Sequence, residues 1–401
     1  MNKSKILGST LIIAGTTIGA GMLALPLTSA GIGFSTSLII MLALWAVMTY
    51  TALLMVEVHQ YASPDATLHS LARELLGSKG QWVATAAMMF LFYSLCAAYI
   101  AGGGSQFAER ITTLTTLEVP NAFATVIFTF VVASIVTIGT STVDKVNRVL
   151  FSIKIVAMAF VLFFLAPNVT ESYLLSLPVE QGLIIAAIPI IFTSFGFHGS
   201  IPAIVKYLDG HTTSLRKVML FGSAIPLIVY IFWQVVTLGV VSQQSLLADP
   251  QLGSLLVQLA DTLHSSNISQ IIGVFADLAL LTSFLGVSLG LFQFLGDSVK
   301  GNRDQASRLL TGLLTFIPPM AFALFFPQGF ILALGYAAIA LVVLALFFPV
   351  ILVKHARKTL KTDKNYQVLG GDGALLVTSL VGVSIILIQI ALVLGVIPSL
   401  G

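Results

Sequence analysis

"AGTTIGAGML", residues 14–23, lies in the middle of the first apolar run of the chain and places three glycines and two threonines where a membrane helix would favour leucine. The run extends from Ile6 to about Ala30. That is long enough to remain as a membrane span, although Lys3 and Lys5 ahead of it give the start of the chain the look of a signal peptide. A helix weakened at its centre calls for an explanation elsewhere in the chain.

Composition supplies the setting. The chain has 401 residues, of which 57% are hydrophobic and only 9% charged. A soluble domain carries roughly a quarter charged residues, so the chain reads as an integral membrane protein. The apolar stretches are of helical length, not the alternating ten-residue segments of an outer-membrane barrel, which makes the fold all-α. A single cysteine, Cys96, excludes an intrachain disulfide and reads as a packing residue. No extramembrane domain or long linker is evident, so function resides within the spans.

Apolar windows between charged or Pro/Gly/Ser-rich breaks predict eleven transmembrane helices near 6–30, 34–58, 81–108, 121–138, 147–166, 183–208, 217–241, 267–296, 307–326, 329–353 and 374–397. The eighth must tilt or project from the bilayer. With the N-terminus inside, 18 of the 19 Lys and Arg residues fall on the cytoplasmic side and Arg110 alone falls outside. Missing or inventing one span in mid-chain would destroy that division. The N-terminus is therefore expected in the cytoplasm and the C-terminus outside. The basic loops suit anionic lipid headgroups, and nothing in the charge pattern supports nucleic-acid binding.

The sixth window, "LIIAAIPIIFTSFGFHGSIPAIVKYL" at 183–208, is interrupted in the same way, with Ser194, Gly196, His198, Gly199 and Ser200 between Pro189 and Pro202. Each interruption opens a block of five spans. An odd number per block makes the second block enter the membrane from the opposite face, which implies an inverted repeat over 1–166 and 183–353, followed by an eleventh helix at 374–397. Unwound backbone inside a bilayer is tolerated where it lines a cavity or holds a ligand, and broken helices at matching positions in two inverted halves point to a transporter's central site. The N-terminal ends of half-helices suit a carboxylate and the opposing C-terminal ends suit an ammonium, so an amino-acid zwitterion fits. The competing reading is packing: Gly15 and Gly19 form a GxxxG pair, and Pro26 is able simply to kink a span.

The stretches "GTTIGAGMLALPL" (15–27), "IPIIFTSFGFHGSIPAIVKYLDG" (188–210), "TSFLGVSLGLF" (282–292) and "LALGYAAIALVVLAL" (332–346) resemble the hydroxy/aromatic amino acid permeases, a family of the amino acid/polyamine/organocation superfamily, along nearly the whole chain. The resemblance is strongest to the family's tyrosine-specific branch in Gram-negative bacteria. It implies a leucine-transporter-type 5+5 inverted repeat and a bacterial inner-membrane location. It also implies import of L-tyrosine with a proton as coupling ion, and no other cofactor, metal or obligate protein partner. A broader tryptophan/phenylalanine permease is the alternative within the family.

The first candidate set is the backbone of Gly15, Thr16, Thr17, Ile18, Gly19, Ala20 and Gly21, where glycine lets a ligand approach the main chain. Ser194, Phe195, Gly196, Phe197, His198 and Gly199 complete the cradle, with one phenylalanine stacking on the substrate ring or both serving the core. His198 either relays the proton, bonds the substrate hydroxyl or satisfies backbone groups at the break. Lys154 sits where sodium-dependent members of the superfamily bind a cation between spans 1 and 8. Its ammonium either replaces that ion, against first-span carbonyls with Thr282 and Ser283, or snorkels to the interface. Asp277, about ten residues into the eighth span, is a proton site or a hydrogen-bonded structural carboxylate. Glu57 closes the second span as an inner-gate acid or, better suited to a helix end, a solvated one. Recognition of a phenol needs a polar group in the pocket, for which Tyr93, Tyr99, Gln234 and Tyr336 are candidates.

Two other classes compete. A passive channel needs a continuous polar path, and polar residues cluster only at the two breaks. An intramembrane enzyme needs a nucleophile set, paired aspartates or an HExxH motif, and the spans carry none.

Overall fold

The computed structural model describes residues 3–115, 118–262, 266–298, 305–359 and 366–398. Helix α1 (Lys3–Thr17) and α2 (Gly21–Ser29) form one span bent by 52° at residues 18–20. Four spans follow: α3 (Gly33–His59), α4 (Leu68–Thr115), α5 (Asn121–Ile138) and α6 (Thr140–Leu165). After a short α7 (Glu171–Leu174), the sixth span is assembled from α8 (Gln181–Ala186), α9 (Ile188–Ser194), a 3-10 turn at His198–Ser200 and α10 (Ile201–Tyr207). Next come α11 (Thr212–Val240), α12 (Gln243–Ala248), α13 (Leu252–Asp261), α14 (Ser266–Ser298) and α15 (Gln305–Phe325). Helices α16 (Phe330–Val342) and α17 (Phe348–Thr359) are joined by a π turn at Val343–Phe347, and α18 (Gly371–Val393) closes the order. By length and apolarity these make eleven candidate spans when the bent pair counts as one, and no strand occurs among the described residues.

The count of spans expected from the sequence is met, while several ends differ. The third span is preceded by helix from Leu68, set off by Gly77 at φ 73°. Leu71 and Ala72 of this segment are buried and Arg73 and Glu74 exposed, an amphipathic pattern that lies outside the apolar window starting at 81. The fifth span begins at Thr140, not 147, because Gly139, at φ 142°, is what separates α5 from α6. Between the seventh and eighth spans, α12 and α13 form a small helical element that the apolar windows passed over.

The broken spans sit at the centre. Helix α1 packs on α11, α2 and α16 pack on α9, and α14 runs against α4 and α6. Large exposed apolar residues such as Phe130, Phe163, Val377 and Leu380 lie on outward faces, as lipid contact requires. In such a bundle close packing and hydrogen bonds, not apolar burial, distinguish one helix partner from another.

Candidate substrate and ion site

The two breaks meet. Ser194 Oγ lies 3.1 Å from the Gly21 carbonyl, and Ser200 Oγ donates to Thr16 Oγ1 at 3.2 Å. Around the first break, Ile18 N–H still reaches Ala14 O at 2.8 Å, whereas Ala20 N–H has left the helix ladder and donates to Ser283 Oγ of α14 at 2.9 Å. The N–H groups of Gly19 and Gly21, and of Phe197, His198 and Gly199 at the second break, have no acceptor among the described residues. Donors without an acceptor are costly inside a membrane bundle and are available to a ligand.

Lys154 is the strongest feature. It is 2% exposed, and its Nζ donates to the Ile18 carbonyl at 2.9 Å and to Thr282 Oγ1 at 3.2 Å, with the Phe151 ring 4.5 Å below. Burial rules out snorkelling. The ammonium ties the break of the first span to α6 and α14, close to the C-terminal end of α1, where the helix dipole is negative. Its acceptors are neutral, and Lys154 is in no ion pair among the described residues. Ser283 is not among its hydrogen-bond partners; that side chain accepts from Ala20 N–H.

The glycines of the first break are filled by protein atoms, which changes their role. A Cβ at Gly19 would meet Ser283 Oγ at 2.5 Å, one at Gly15 would meet the Phe151 ring at 3.2 Å, and one at Gly21 would meet Ser194 at 3.3 Å. They admit neighbouring helices at the positions where a ligand approach was expected. Gly199 is exposed with nothing within 4 Å of its missing side chain, and Gly196 faces Leu341.

Tyr230 on α11 escaped the sequence reading. Its hydroxyl lies 2.6 Å from Thr17 O and 2.8 Å from Ser194 O, the last carbonyls of α1 and α9, and its ring packs edge-on against Phe195 at 5.3 Å. A tyrosine in an apolar span carries no sequence mark of that task. His198 is buried, with Nε2 2.9 Å from Thr51 Oγ1, and its ring lies 5.0 Å from Phe197. Thr51 Oγ1 also lies 3.1 Å from Met48 O, and His198 Nδ1 has no partner among the described residues.

Exposure differs between the two sides of the breaks. Phe192, Phe195, Met22, Leu23 and Leu25 are buried on the α2/α9 side, while Thr16 and Gly199 are exposed on the α1/α10 side.

The sequence is similar to known proteins along nearly its whole length. The model of the tryptophan/tyrosine permease family matches residues 2–389. The chain belongs to that family. This permease is 44% identical to "Tyrosine-specific transport system 1" of Haemophilus influenzae, over 98% of its own length and 99% of the relative's. It is 43% identical to "Tyrosine-specific transport system 2" of the same organism, over 99% of each. It is also 34% identical to "Glutamine transporter 2" of Aliivibrio fischeri, over 96% of its own chain and 99% of the relative's. It is thus a multi-pass membrane protein of a transporter family.

Four further candidates are engaged by protein groups in this permease. Tyr93, expected at the substrate, instead donates to Leu314 O at 2.8 Å, a carbonyl left free because Pro318 four residues on has no N–H to offer it. Gln234, expected beside it, holds α2 from α11 through Ser29 Oγ at 2.5 Å and Leu25 O at 3.4 Å. Asp277 is paired with Arg110 of α4 at 2.8 Å and is a third exposed, so its surroundings are those of an ion pair. Glu57 is not solvated: it is 1% exposed, bidentate to Arg357 of α17 at 2.7 and 2.8 Å, and accepts from Val368 N–H. A helix-end position predicted solvation because the linker before α18 that covers it is distant in sequence. Tyr99 is buried, and Tyr336 lines a cavity with Tyr93 between α4, α15 and α16.

Proposed function

We propose that this permease is a proton-coupled symporter that imports L-tyrosine across the bacterial inner membrane by alternating access. The observation that carries the coupling is the buried Lys154 ammonium, held by the Ile18 carbonyl and Thr282 where a coupling cation would otherwise sit. Protonated, the side chain fastens the first-span break to α6 and α14 by charge–dipole attraction. Deprotonated, it loses its charge and one donor, and the break is freed to move. Substrate identity is supported by the tyrosine-specific relatives, and the free N–H groups at both breaks suit the substrate carboxylate.

The first, second, sixth and seventh spans rock against the remainder in this reading. With Lys and Arg on the cytoplasmic side, the N-terminus is cytoplasmic, the C-terminus periplasmic, and the α1/α10 side with exposed Thr16 and Gly199 faces inward. One proton per substrate supplies roughly 2.3 kcal/mol per 100 mV, enough for about 50-fold accumulation.

The test is uptake of labelled tyrosine into proteoliposomes under an imposed pH gradient, an imposed sodium gradient or neither. Accumulation under the pH gradient alone is expected. Uptake indifferent to the pH gradient overturns proton coupling, uptake that never exceeds equilibrium indicates a facilitator, and equal competition by tryptophan or phenylalanine indicates a broad aromatic permease.

A further inference from the structure

A cavity of about 290 Å³ lies between α4, α15 and α16. Residue size explains it. Pro318 and Pro319 sit together in α15, where proline rings bend a helix and bring no long side chain. Ser94 and Ala97 of α4 and Ala333 of α16 also line the space and are too short to fill it. These three and Pro319 are buried and form the floor, while Phe90 and Pro318 are exposed at the rim. Phe90 is 45% exposed and lies on the same outward apolar surface as Met89 and Ile317, so the cavity opens on the lipid.

Two kinds of group in it lack a partner. Phe90, Tyr93 and Tyr336 line the cavity, and none of them packs ring to ring with another aromatic among the described residues. Ser94 is 7% exposed, and its hydroxyl, like that of Tyr336, makes no hydrogen bond among the described residues. Ser134, Ser283 and Ser288 in other spans return their protons to the carbonyl four residues back. Ser94 does not, and neither free hydroxyl is closed off by protein atoms.

We infer that this cavity binds a neutral ring compound from the bilayer, about two fused rings in size, whose single hydroxyl or carbonyl oxygen hydrogen-bonds to Ser94 or Tyr336. An apolar cavity of about 150 Å³ accepts benzene, so this one has room for a fused pair. Flat rings suit it because offset or edge-on contact with Phe and Tyr adds to the burial of their area. A zwitterion is excluded, since no charged residue lines the space. An acyl chain is the competing occupant, and it leaves both hydroxyls unmet.

Helix α16 links the cavity to the sixth-span break. Ala333 and Tyr336 line the cavity, while the adjacent Leu334 carbonyl accepts from Thr193 Oγ1 of α9 at 3.2 Å and Leu341 packs at Gly196. An occupant that fixes α16 slows the movement of the sixth span without competing for the substrate. That effect rests on the transport reading; the binding does not.

The experiment is equilibrium dialysis of labelled 2-naphthol and of naphthalene against nanodiscs holding the purified full chain, with uptake by empty nanodiscs of the same lipid subtracted. The parent is expected to bind one 2-naphthol per chain, about tenfold more tightly than naphthalene. Ser94→Ala combined with Tyr336→Phe is expected to bind the two probes alike. Ala97→Leu, which fills the floor, is expected to bind neither, and Phe90→Ala, at the lipid-facing rim where folding is not at stake, to bind both several-fold more weakly. No saturable excess over empty nanodiscs means that lipid chains hold the cavity and overturns the proposal. Equal affinity of the parent for both probes, or binding unchanged in all the variants, overturns it as well. The effect on transport is measured as tyrosine exchange in proteoliposomes with no gradient imposed, because a naphthol also carries protons across lipid. 2-Naphthol is expected to lower the maximal exchange rate of the parent several-fold, with KM unchanged, and to spare Ala97→Leu; equal loss in both overturns the effect. Absence of any tyrosine exchange by the parent counts against the transport reading and leaves the binding result standing.

Discussion

The Tyr230 hydroxyl stands 2.6 Å from the Thr17 carbonyl oxygen, at the last residue of α1. The same hydroxyl is 2.8 Å from Ser194 O, the last residue of α9, so one proton is shared by the ends of both broken helices. Tyr230→Phe keeps the ring and strands two carbonyls inside the bundle. The expected result is a loss of about 2 kcal/mol in unfolding stability together with a slower initial uptake. Denaturant unfolding in detergent checks it, and an unchanged midpoint with unchanged uptake refutes it.

Gly19 gives a sharper test because its neighbour is known. Gly19→Ala drives a Cβ to 2.5 Å from Ser283 Oγ and displaces the acceptor of Ala20 N–H. Uptake is expected to fall by tenfold or more, a loss of about 1.4 kcal/mol or greater. Ser283→Ala added to Gly19→Ala removes the collision but not the unpaired N–H, so recovery is partial. Gly8→Ala, with nothing within 4 Å, serves as control and retains full uptake. Full recovery in the double variant would show that the Ala20 hydrogen bond is dispensable.

Substitutions at Lys154 and Asp277 test the proposed division between coupling and scaffolding. Lys154→Ala is expected to abolish pH-driven accumulation while substrate exchange across the membrane stays measurable. Asp277→Asn weakens a partly exposed pair with Arg110 and is expected to reduce stability by about 1 kcal/mol or less with accumulation retained. The two readings are compared in one proteoliposome assay; accumulation surviving Lys154→Ala but lost in Asp277→Asn would exchange the roles.

Glu57 and Arg357 make a buried pair between α3 and α17, and removal of one partner leaves the other charge unmet. Arg357→Leu is expected to cost about 3–5 kcal/mol, whereas Glu57→Met with Arg357→Leu costs less than the single change. Thermal unfolding of the three proteins decides this. A double variant less stable than Arg357→Leu contradicts it.

Much of this site was legible from residue order, and the parts that were not share a cause. The Ile18 region and residues 194–199 announced themselves because glycine, serine and histidine are out of place in an apolar span. Lys154 announced itself because an ammonium is costly there, and its partners Ile18 and Thr282 followed from the resemblance to the superfamily. Tyr230, by contrast, is an ordinary residue on a regular helix, and its importance lies wholly in two carbonyls 213 and 36 residues away. Tyr93 and Gln234 show the opposite case: each is polar in a span, and the groups they hydrogen-bond are a proline-orphaned carbonyl on α15 and the end of α2.

What the sequence by itself determined is the membrane class, the number of spans and the two breaks. These depend on hydropathy, charge and glycine content, which are local properties of the chain. What only the tertiary structure decided is which groups meet at the breaks. Glycines 15, 19 and 21 turned out to admit Phe151, Ser283 and Ser194, and Glu57 turned out to be buried against Arg357, because contact between helices depends on rotation and depth in the bundle. Those two quantities arise only when all the helices are packed together.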